Sequence, residues 1–197
     1  MQVSEDGWLV AKAKWNLGVL TFRTAMAGPA MTRGVHSAEF TLVSGIAGVI
    51  VGVGREWFDP GNEKSAAGKD VCRTDDGWGL DVFNGDLVHG SDAFPSWKWD
   101  GQQKCQAGDK VGLVLDCDMG SLTVYLNSKR LGVIVESGLR DARPLAGGGG
   151  LCWVVELARK GQAVRLQPQP QRRSKRPTAK SHLQHRRASV PVNVYNA

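Results

Sequence analysis

The sequence predicts an all-β fold, either a sandwich or a barrel. Short stretches in which apolar and polar residues alternate recur along the chain, and a period of two is typical of strands with one buried face. The 25 glycines divide these stretches with frequent turns, and long helix-forming runs are scarce. With 197 residues, 42% of them hydrophobic and seven of them tryptophan, the chain can bury one sizeable core. We therefore expect a single domain.

The first part of this domain is predicted to contain four strands and one loop. The strands are expected at residues 3–10, 19–23, 38–42 and 46–53, and the small residues from 25 to 34 are expected to form the loop. Residues 46–53 are apolar almost throughout, which favours a central strand covered on both faces. This run is far shorter than the ~20 residues that a membrane-spanning helix needs, so no membrane span is expected.

Two long irregular connections interrupt the strands that follow. Residues 55–76 and residues 90–107 carry turn-forming residues but no hydrophobic period. Between them, strands are predicted at residues 78–83 and 87–89, joined by a hairpin turn at Asn84-Gly85-Asp86. Long irregular connections in compact domains tend to be functional or mobile.

Residues 108–135 carry the clearest strand pattern in the chain. Apolar residues occupy every second position from 111 to 115 and again from 122 to 126. An acidic turn that ends in Gly120 separates these two strands, and Asn127-Ser128 stands where a short hairpin turn would lead into a third. The pattern predicts a β-meander.

After the meander, the sequence predicts a spacer, two strands and a tail. Residues 140–150 include four consecutive glycines, which indicate a flexible spacer. Strands at 151–157 and 163–166 are expected to complete a domain that spans residues 1–167. Residues 168–197 are polar and proline-rich, so we predict a disordered basic C-terminal tail.

Several of these segments resemble, in order, the signature segments of the SPRY domain family. Four places carry the resemblance: the strand Val51-Gly52-Val53-Gly54, the strand Gly77-Trp78-Gly79-Leu80-Asp81, the meander, and residues 153–164. Within the meander the matching residues are Gly108-Asp109, Val111-Gly112, Leu115-Asp116, Gly120, Tyr125-Leu126-Asn127 and Leu131-Gly132. The resemblance covers about residues 1–167. It implies a SPRY-type β-sandwich of two antiparallel sheets, in which loops at one end form a recognition surface for another protein.

The positive charge of the chain is concentrated in the tail. Seven of the 25 basic residues follow Leu166, but none of the 19 acidic residues does. The first 166 residues are therefore nearly neutral, and the sequence pI of about 9.3 describes the tail rather than a basic patch on the domain.

No group of reactive residues predicts an enzyme, a cofactor site or a metal site. His36 and His89 are isolated, and they suit ordinary surface or hydrogen-bonded core positions. Gly52-Val53-Gly54 lacks the third glycine of a dinucleotide-binding loop. Asp116 and Asp118 begin a motif like that of an EF-hand loop, but Asn127 stands at its twelfth position, where a glutamate is required. We expect a non-enzymatic protein with no catalytic residue and no cofactor.

Aromatic residues and an arginine in the irregular connections are the candidates for partner binding. Binding modules obtain most of their affinity from a few buried anchors, commonly Trp, Tyr and Arg. The predicted partner-binding residues are Arg55, Trp57, Phe94, Trp97, Trp99 and Trp153. Loop tryptophans also serve to pin a long loop onto a sandwich, and that alternative stays open. On the first interpretation, changing Trp97 and Trp99 to Ala abolishes partner capture and shifts the melting temperature by only a few degrees.

The cysteines and the remaining tryptophans are assigned to the core. Trp8, Trp15 and Trp78 lie on predicted strands. The four cysteines have no C-x-x-C spacing, the chain has no Asn-x-Ser/Thr site, and no secretory signal pattern is present. A cytoplasmic location is therefore expected, with the nucleus as the alternative.

The tail permits three interpretations. Arg172, Arg173, Lys175 and Arg176 resemble a nuclear localisation signal, or an electrostatic contact to nucleic acid or anionic lipid. A tail that only improves solubility is the third. Ser189 follows a pair of arginines as in a basophilic kinase site, and phosphate there would weaken an electrostatic contact.

Two functions follow from the sequence. The first is a monomeric SPRY-type module, an adaptor or scaffold, in which residues 55–76, 90–107 and 140–152 form a site for a segment of a partner protein. The second is a nuclear factor, associated with nucleic acid or chromatin, that binds through its basic tail. Deletion of residues 168–197 distinguishes them, because only the second depends on the tail.

Overall fold

The chain folds into a sandwich of two antiparallel sheets. The computed structural model describes residues 2–4, 9–12, 22–58, 70–90, 96–137 and 149–169. Within these ranges it contains thirteen strands: β1 (Gln2–Val3), β2 (Leu9–Ala11), β3 (Arg23–Met31), β4 (Val35–Ser44), β5 (Val49–Arg55), β6 (Gly77–Asp81), β7 (Asp86–Val88), β8 (Ser96–Trp97), β9 (Lys110–Asp116), β10 (Ser121–Leu126), β11 (Lys129–Val135), β12 (Leu151–Leu157) and β13 (Ala163–Gln169). The predicted fold class is confirmed.

The strands divide into a seven-stranded and a six-stranded sheet. The seven-stranded sheet has the order β1-β2-β13-β4-β9-β10-β11, and the six-stranded sheet has the order β3-β12-β5-β6-β7-β8. The main core lies between the sheets and takes alternate residues from both, such as Phe40 and Leu113 from the first and Val51 and Val155 from the second. We call the face of each sheet that meets this core its inner face.

The predicted meander is confirmed as β9, β10 and β11. Its first turn is closed by the Asp116 Oδ1 atom, which accepts hydrogen bonds from the backbone N–H groups of Asp118 (3.0 Å) and Met119 (2.9 Å). In its second turn Asn127 (φ 50°) and Ser128 (φ 69°) both lie in the left-handed region, as a two-residue type I′ hairpin requires. The acidic turn is therefore a structural feature of the hairpin.

The six-stranded sheet is covered on both faces along β5 and β12. Every residue of both strands is buried. Their outer faces pack against a single 3₁₀ turn, Val71–Arg73, in a second cluster that contains Ile50, Val88 and Val154. The apolar run predicted for residues 46–53 therefore does mark a central strand, although β5 begins later because Val49 N closes a turn on Ile46 O at 3.0 Å.

The predicted loop at residues 25–34 was wrong. Most of it belongs to β3, which lies at the edge of its sheet and, among the strands described, pairs with β12 alone. Its register with β12 shifts near Gly28, which has a φ of 84°, and next to Pro29. An edge strand tolerates both residues because one side of it needs no ladder hydrogen bonds, so a composition typical of turns still forms a strand.

The two ends of the domain also differ from the prediction. The described part of residues 3–10 contains not one strand but two, β1 and β2, which pair with each other through Val3 and Val10. At the other end β13 continues to Gln169, pairing Gln167 with Glu39 and Gln169 with Ser37. Beyond Arg165 no partner lies on the other side of β13 in the described ranges, so Pro168, which lacks an N–H, fits there.

Candidate recognition site

Several strand ends meet at one end of the sandwich, which we call the Arg55 end. Arg55, the last residue of β5, pairs with Leu151 at the start of β12, and Leu151 in turn pairs with Met31 at the end of β3. Gly77, the first residue of β6, pairs with the residue before Arg55. The connection after β5 therefore begins at this end, and the connection before β12 ends at it.

Four side chains at this end form a continuous stack, which we call the Arg55 stack. The Arg55 guanidinium carbon lies 5.2 Å from the centroid of the Trp57 ring and 5.4 Å from that of Trp78. The Trp78 ring stacks on the His89 ring, with centroids 4.6 Å apart and planes inclined by 14°. The stack thus joins β5, β6, the segment after β5 and the segment after β7.

Backbone contacts fix the two ends of the stack. The His89 Nδ1 atom lies 2.8 Å from the Gly77 carbonyl oxygen, and it carries a proton because a carbonyl oxygen only accepts. The segment that bears Trp57 is held by Glu56, whose N–H donates to Gly150 O (3.0 Å) and whose carboxylate accepts from Gly150 N (3.0 Å). These contacts position the two rings from both sides of the site.

Glycines in the predicted flexible spacer are packing positions. A Cβ atom on Gly149 would overlap the Trp57 ring, and one on Gly150 would lie 2.8 Å from the Ala30 Cβ. Trp57 can lie against this backbone only because residue 149 has no side chain. The last two residues of the four-glycine run therefore shape the site.

The Arg55 side chain is largely buried, and its guanidinium has no polar partner among the described residues. The residue is 6% exposed, and burial lowers the pKa of the guanidinium, an effect that the nearby Asp76 carboxylate opposes. Across the residues that the structure describes, the side chain makes aromatic contacts but no ion pair and no hydrogen bond. Trp57, beside it, is 43% exposed. The site therefore combines a largely buried arginine, with no polar partner in the described ranges, and an accessible indole.

Trp97 and Trp99 are separated by their environments. Trp97, on the short edge strand β8, is 55% exposed, and its indole N–H makes a long contact of 3.5 Å to the His89 carbonyl oxygen. Trp99 packs against the main core, and its indole N–H donates to Gly85 O at 2.7 Å. The interpretation of a tryptophan that pins a loop therefore fits Trp99, whereas Trp97 is free for contact. The expectation that both can be removed with little loss of stability does not fit this packing.

Trp153 lies in the core, and this corrects its selection as a contact residue. It is 3% exposed and meets Phe40 edge to face, with ring centroids 6.1 Å apart. Alternate residues of β12 face the core, and Trp153 shares that face with Leu151 and Val155. Trp78 is buried as predicted, although its place in the Arg55 stack was missed. The sequence contains no signal for that place, because the pairing of β5 with β6 creates it.

The remaining candidates lie outside the described residues. They are Phe94, Arg172, Arg173, Lys175, Arg176 and Ser189, together with the core candidates Trp8 and Trp15. Their assignments stay predictions.

A buried carboxyl group on the outer face of β12 was missed entirely. Glu156 is fully buried, and its Oε1 atom accepts hydrogen bonds from Cys72 N (2.9 Å) and Thr24 Oγ1 (3.1 Å). Burial, followed by a hydrogen bond to Asp70 and the charge of Asp70, raises the pKa of Glu156 well above its ordinary value. A proton on Glu156 also satisfies its Oε2 and the Asp70 Oδ1, which otherwise lack partners. The signal was an acidic residue inside an apolar strand.

The cysteines are free thiols. Cys72, Cys105 and Cys152 are buried and Cys117 is partly buried. Burial raises the pKa of all four thiols, to about 11 for Cys105 and for Cys117. They behave as small apolar residues, as predicted.

Neither a metal-binding cluster nor a membrane-spanning helix is found in the described ranges. No cluster of three or more His, Cys, Asp or Glu side chains there is arranged to hold a metal ion. In the same ranges, no helix has the length and apolar character needed to cross a membrane.

Comparison with solved structures identifies the fold. The crystal structure of the SPRY domain of human HERC1 has a TM-score of 0.57 and 18% identity, over 82% of this chain and 89% of that chain. A second crystal structure, of a human SPRY domain, has a TM-score of 0.56 and 15% identity, over 83% and 93%. No protein-family model and no curated protein sequence matches the chain. The chain has a SPRY-type β-sandwich, and the predicted resemblance is confirmed.

Proposed function

We propose that this SPRY-type domain is a non-enzymatic interaction module that recognises a segment of a partner protein at the Arg55 end. The SPRY-type fold supports an interaction module in general. The Arg55 stack is the observation on which the more specific proposal rests, because it places exposed Trp57 beside a buried cation. Exposed aromatic residues beside a rigid framework are typical anchors of a protein interface.

The geometry supports rigid presentation of the site. Two hydrogen bonds between Glu56 and Gly150 hold the segment that bears Trp57. Trp97 stands on a strand that pairs with β7. A partner segment would therefore meet side chains that are already ordered, which lowers the entropy lost on binding. Adaptor or scaffold roles are compatible with such a site.

Selection of ligands from a random peptide library tests the proposal. The complete chain is immobilised, peptides are selected, and their Kd values are measured with the chain in solution. We expect Trp57→Ala to weaken binding by at least about tenfold, as for an interface anchor. Phe83→Ala is the matched control, because Phe83 is 45% exposed, similar to Trp57, but follows β6 at the opposite end of the sandwich. Equal affinities of wild type and Trp57→Ala would contradict the proposed site.

The alternative function is binding of nucleic acid or chromatin through the tail. The concentration of basic residues after Leu166 favours it. The appropriate deletion starts at residue 170, rather than at 168 as the sequence suggested, because Pro168 and Gln169 belong to β13. Duplex DNA and single-stranded RNA are titrated at several salt concentrations. Binding that weakens with salt and disappears with residues 170–197 would support the alternative, and peptide binding that survives the deletion would support the domain.

A further inference from the structure

We propose that Arg55 is the receptor for a carboxylate of the partner segment, so that the recognised segment carries an aspartate or a glutamate at one required position. This inference rests on the proposed function, and it specifies the ligand chemistry of the same site. It is argued from the polar surroundings of the guanidinium, from the charge of the domain and from the neighbouring indoles.

The N–H donors of the Arg55 guanidinium have no acceptor among the described residues. A guanidinium presents five N–H donors in one plane. The Trp57 and Trp78 rings lie 5.2 and 5.4 Å from its central carbon and stabilise the charge, but they supply no oxygen acceptor. Buried charges in proteins are normally paired, because an unpaired one costs free energy. A residue that is 6% exposed and lacks a partner among the described residues is therefore suited to an acceptor that arrives with a ligand.

The acidic residues near Arg55 either hydrogen-bond to another group or do not contact its guanidinium. The Glu56 carboxylate accepts a hydrogen bond from Gly150 N and so holds the Trp57 segment in place. Asp76 influences Arg55 by its charge but makes no ion pair with it in the described part of the chain. His89 donates through Nδ1 to a carbonyl oxygen and cannot offer an anion. No group of the domain described here thus takes the place of an incoming carboxylate.

The charge of the domain and the geometry of a guanidinium favour a carboxylate over a polyanion. The first 166 residues are nearly neutral, so the domain has no broad positive field of the kind that binds a polyanion. A single buried guanidinium instead suits one planar, bidentate acceptor, and a carboxylate has that geometry. The exposed indoles of Trp57 and Trp97 on either side of the stack fit the apolar parts of a peptide. Together they favour an acidic peptide over nucleic acid.

The test uses the complete chain and peptides selected from a random library. In each selected peptide, acidic residues are replaced one at a time, Asp by Asn and Glu by Gln, and the Kd is measured. We expect one replacement to weaken binding at least about tenfold in wild type. Because the change is made in the peptide, this arm does not depend on the folding of a variant.

The protein arm uses Arg55→Lys, which keeps the charge but loses the bidentate geometry. We expect it to reduce the preference for the acidic peptide over its amide counterpart at least about fivefold. Arg130→Lys is the matched control, since Arg130 is exposed on β11. This variant should prefer the acidic peptide over its amide counterpart as strongly as wild type does.

The outcomes separate this inference from the proposed function. Peptides that bind in a Trp57-dependent manner, but lose nothing on replacement of their acids, would overturn the carboxylate assignment and leave the proposed function intact. Peptides that bind only when phosphorylated would also overturn it. A library that yields no binder, or only binders that are independent of Trp57, would contradict both.

Discussion

Two glutamates occupy corresponding places in the two sheets, and their environments are opposite. Glu39 lies on the outer face of β4, near the middle of the seven-stranded sheet, where its Oε1 atom is 2.9 Å from Lys110 Nζ and open to solvent. Glu156 lies on the outer face of β12 in the six-stranded sheet and is fully buried beneath the Val71–Arg73 turn. The first is an ordinary surface ion pair, whereas burial, together with Asp70, raises the pKa of the second well above its ordinary value.

The two sheets differ in the solvent exposure of their outer faces. Strands β9 and β10 of the seven-stranded sheet alternate strictly and leave one face to water. Strands β5 and β12 are buried on both sides, and two of the buried charged residues, Arg55 and Glu156, lie on them. A charged group on such a strand has no solvent face to turn toward, and it needs a partner, a proton or a ligand.

The largest effect is expected from glycines that face the two environments. A Cβ on Gly79 would lie 2.8 Å from Cys72 Sγ and would also overlap Ile50, whereas one on Gly112 would lie 3.2 Å from the Tyr125 Cβ on the open face. We expect Gly79→Ala to lower the free energy of unfolding by about 3 kcal/mol, and Gly112→Ala to change it by less than about 1 kcal/mol. Denaturant unfolding measures both. Equal losses of unfolding free energy in the two variants would mean that the Val71–Arg73 turn is not closely packed on Gly79.

An intermediate effect is expected at the edge of the six-stranded sheet. Trp99 packs on the core and near Gly132, and its N–H bonds to Gly85 O, so Trp99→Ala should cost about 2 to 3 kcal/mol. Trp97→Ala should cost less than about 0.5 kcal/mol, because Trp97 is 55% exposed. Thermal unfolding of the two variants provides the comparison. If Trp97→Ala were the more destabilising, Trp97 rather than Trp99 would be the packed residue at this edge.

The smallest effect is a pH dependence of stability to which the buried Glu156 should contribute. Because the pKa of Glu156 is raised in the folded state, the folded protein binds the proton more tightly than the unfolded chain. Stability is therefore full below the ordinary glutamate pKa of about 4.3 and falls as pH rises from there toward the folded pKa. The groups that face Glu156 are Asp70, Cys72 and Thr24, with Arg73 bound to Asp70 at 2.8 Å.

Glu156→Gln should abolish this dependence, because the amide is neutral at every pH and retains an acceptor for Cys72 N and Thr24 Oγ1. Between pH 5 and pH 6 the wild type should lose about 1 kcal/mol relative to the variant. Glu39→Gln is the control, and its pH profile should parallel that of wild type. A Glu156→Gln profile that also parallels wild type would show that Glu156 is ionised in the fold.

Local patterns predicted much of the fold because its hairpins are local. The alternation of Val111, Leu113 and Leu115 requires one buried face, and the Asn127-Ser128 turn fixes the register of the strands that it joins. Strand β3 was missed for the opposite reason. It is stabilised by pairing with β12, more than a hundred residues away, and its composition contains no sign of that partner.

The candidate site was predicted only in outline. Arg55, Trp57 and Trp97 were selected because they stand in irregular connections, and the structure brings Arg55 and Trp57 into contact. Trp153 was selected with them although it stands on a predicted strand, and it faces inward because its direction depends on the pleat of β12. The raised pKa of Glu156 escaped prediction because burial raises a pKa only after another segment has covered the strand.

The sequence alone determined the all-β architecture, the meander with its turns and the concentration of positive charge after the last strand. These follow from periodicity, turn chemistry and composition, which act between residues close in the chain. Only the tertiary structure decided which strands lose both faces to the interior, that Arg55 stands against Trp57 and Trp78, and that Glu156 lies beneath Cys72. Those arrangements depend on strand pairing and layer packing between distant segments, and desolvation of a charge arises only when those segments meet.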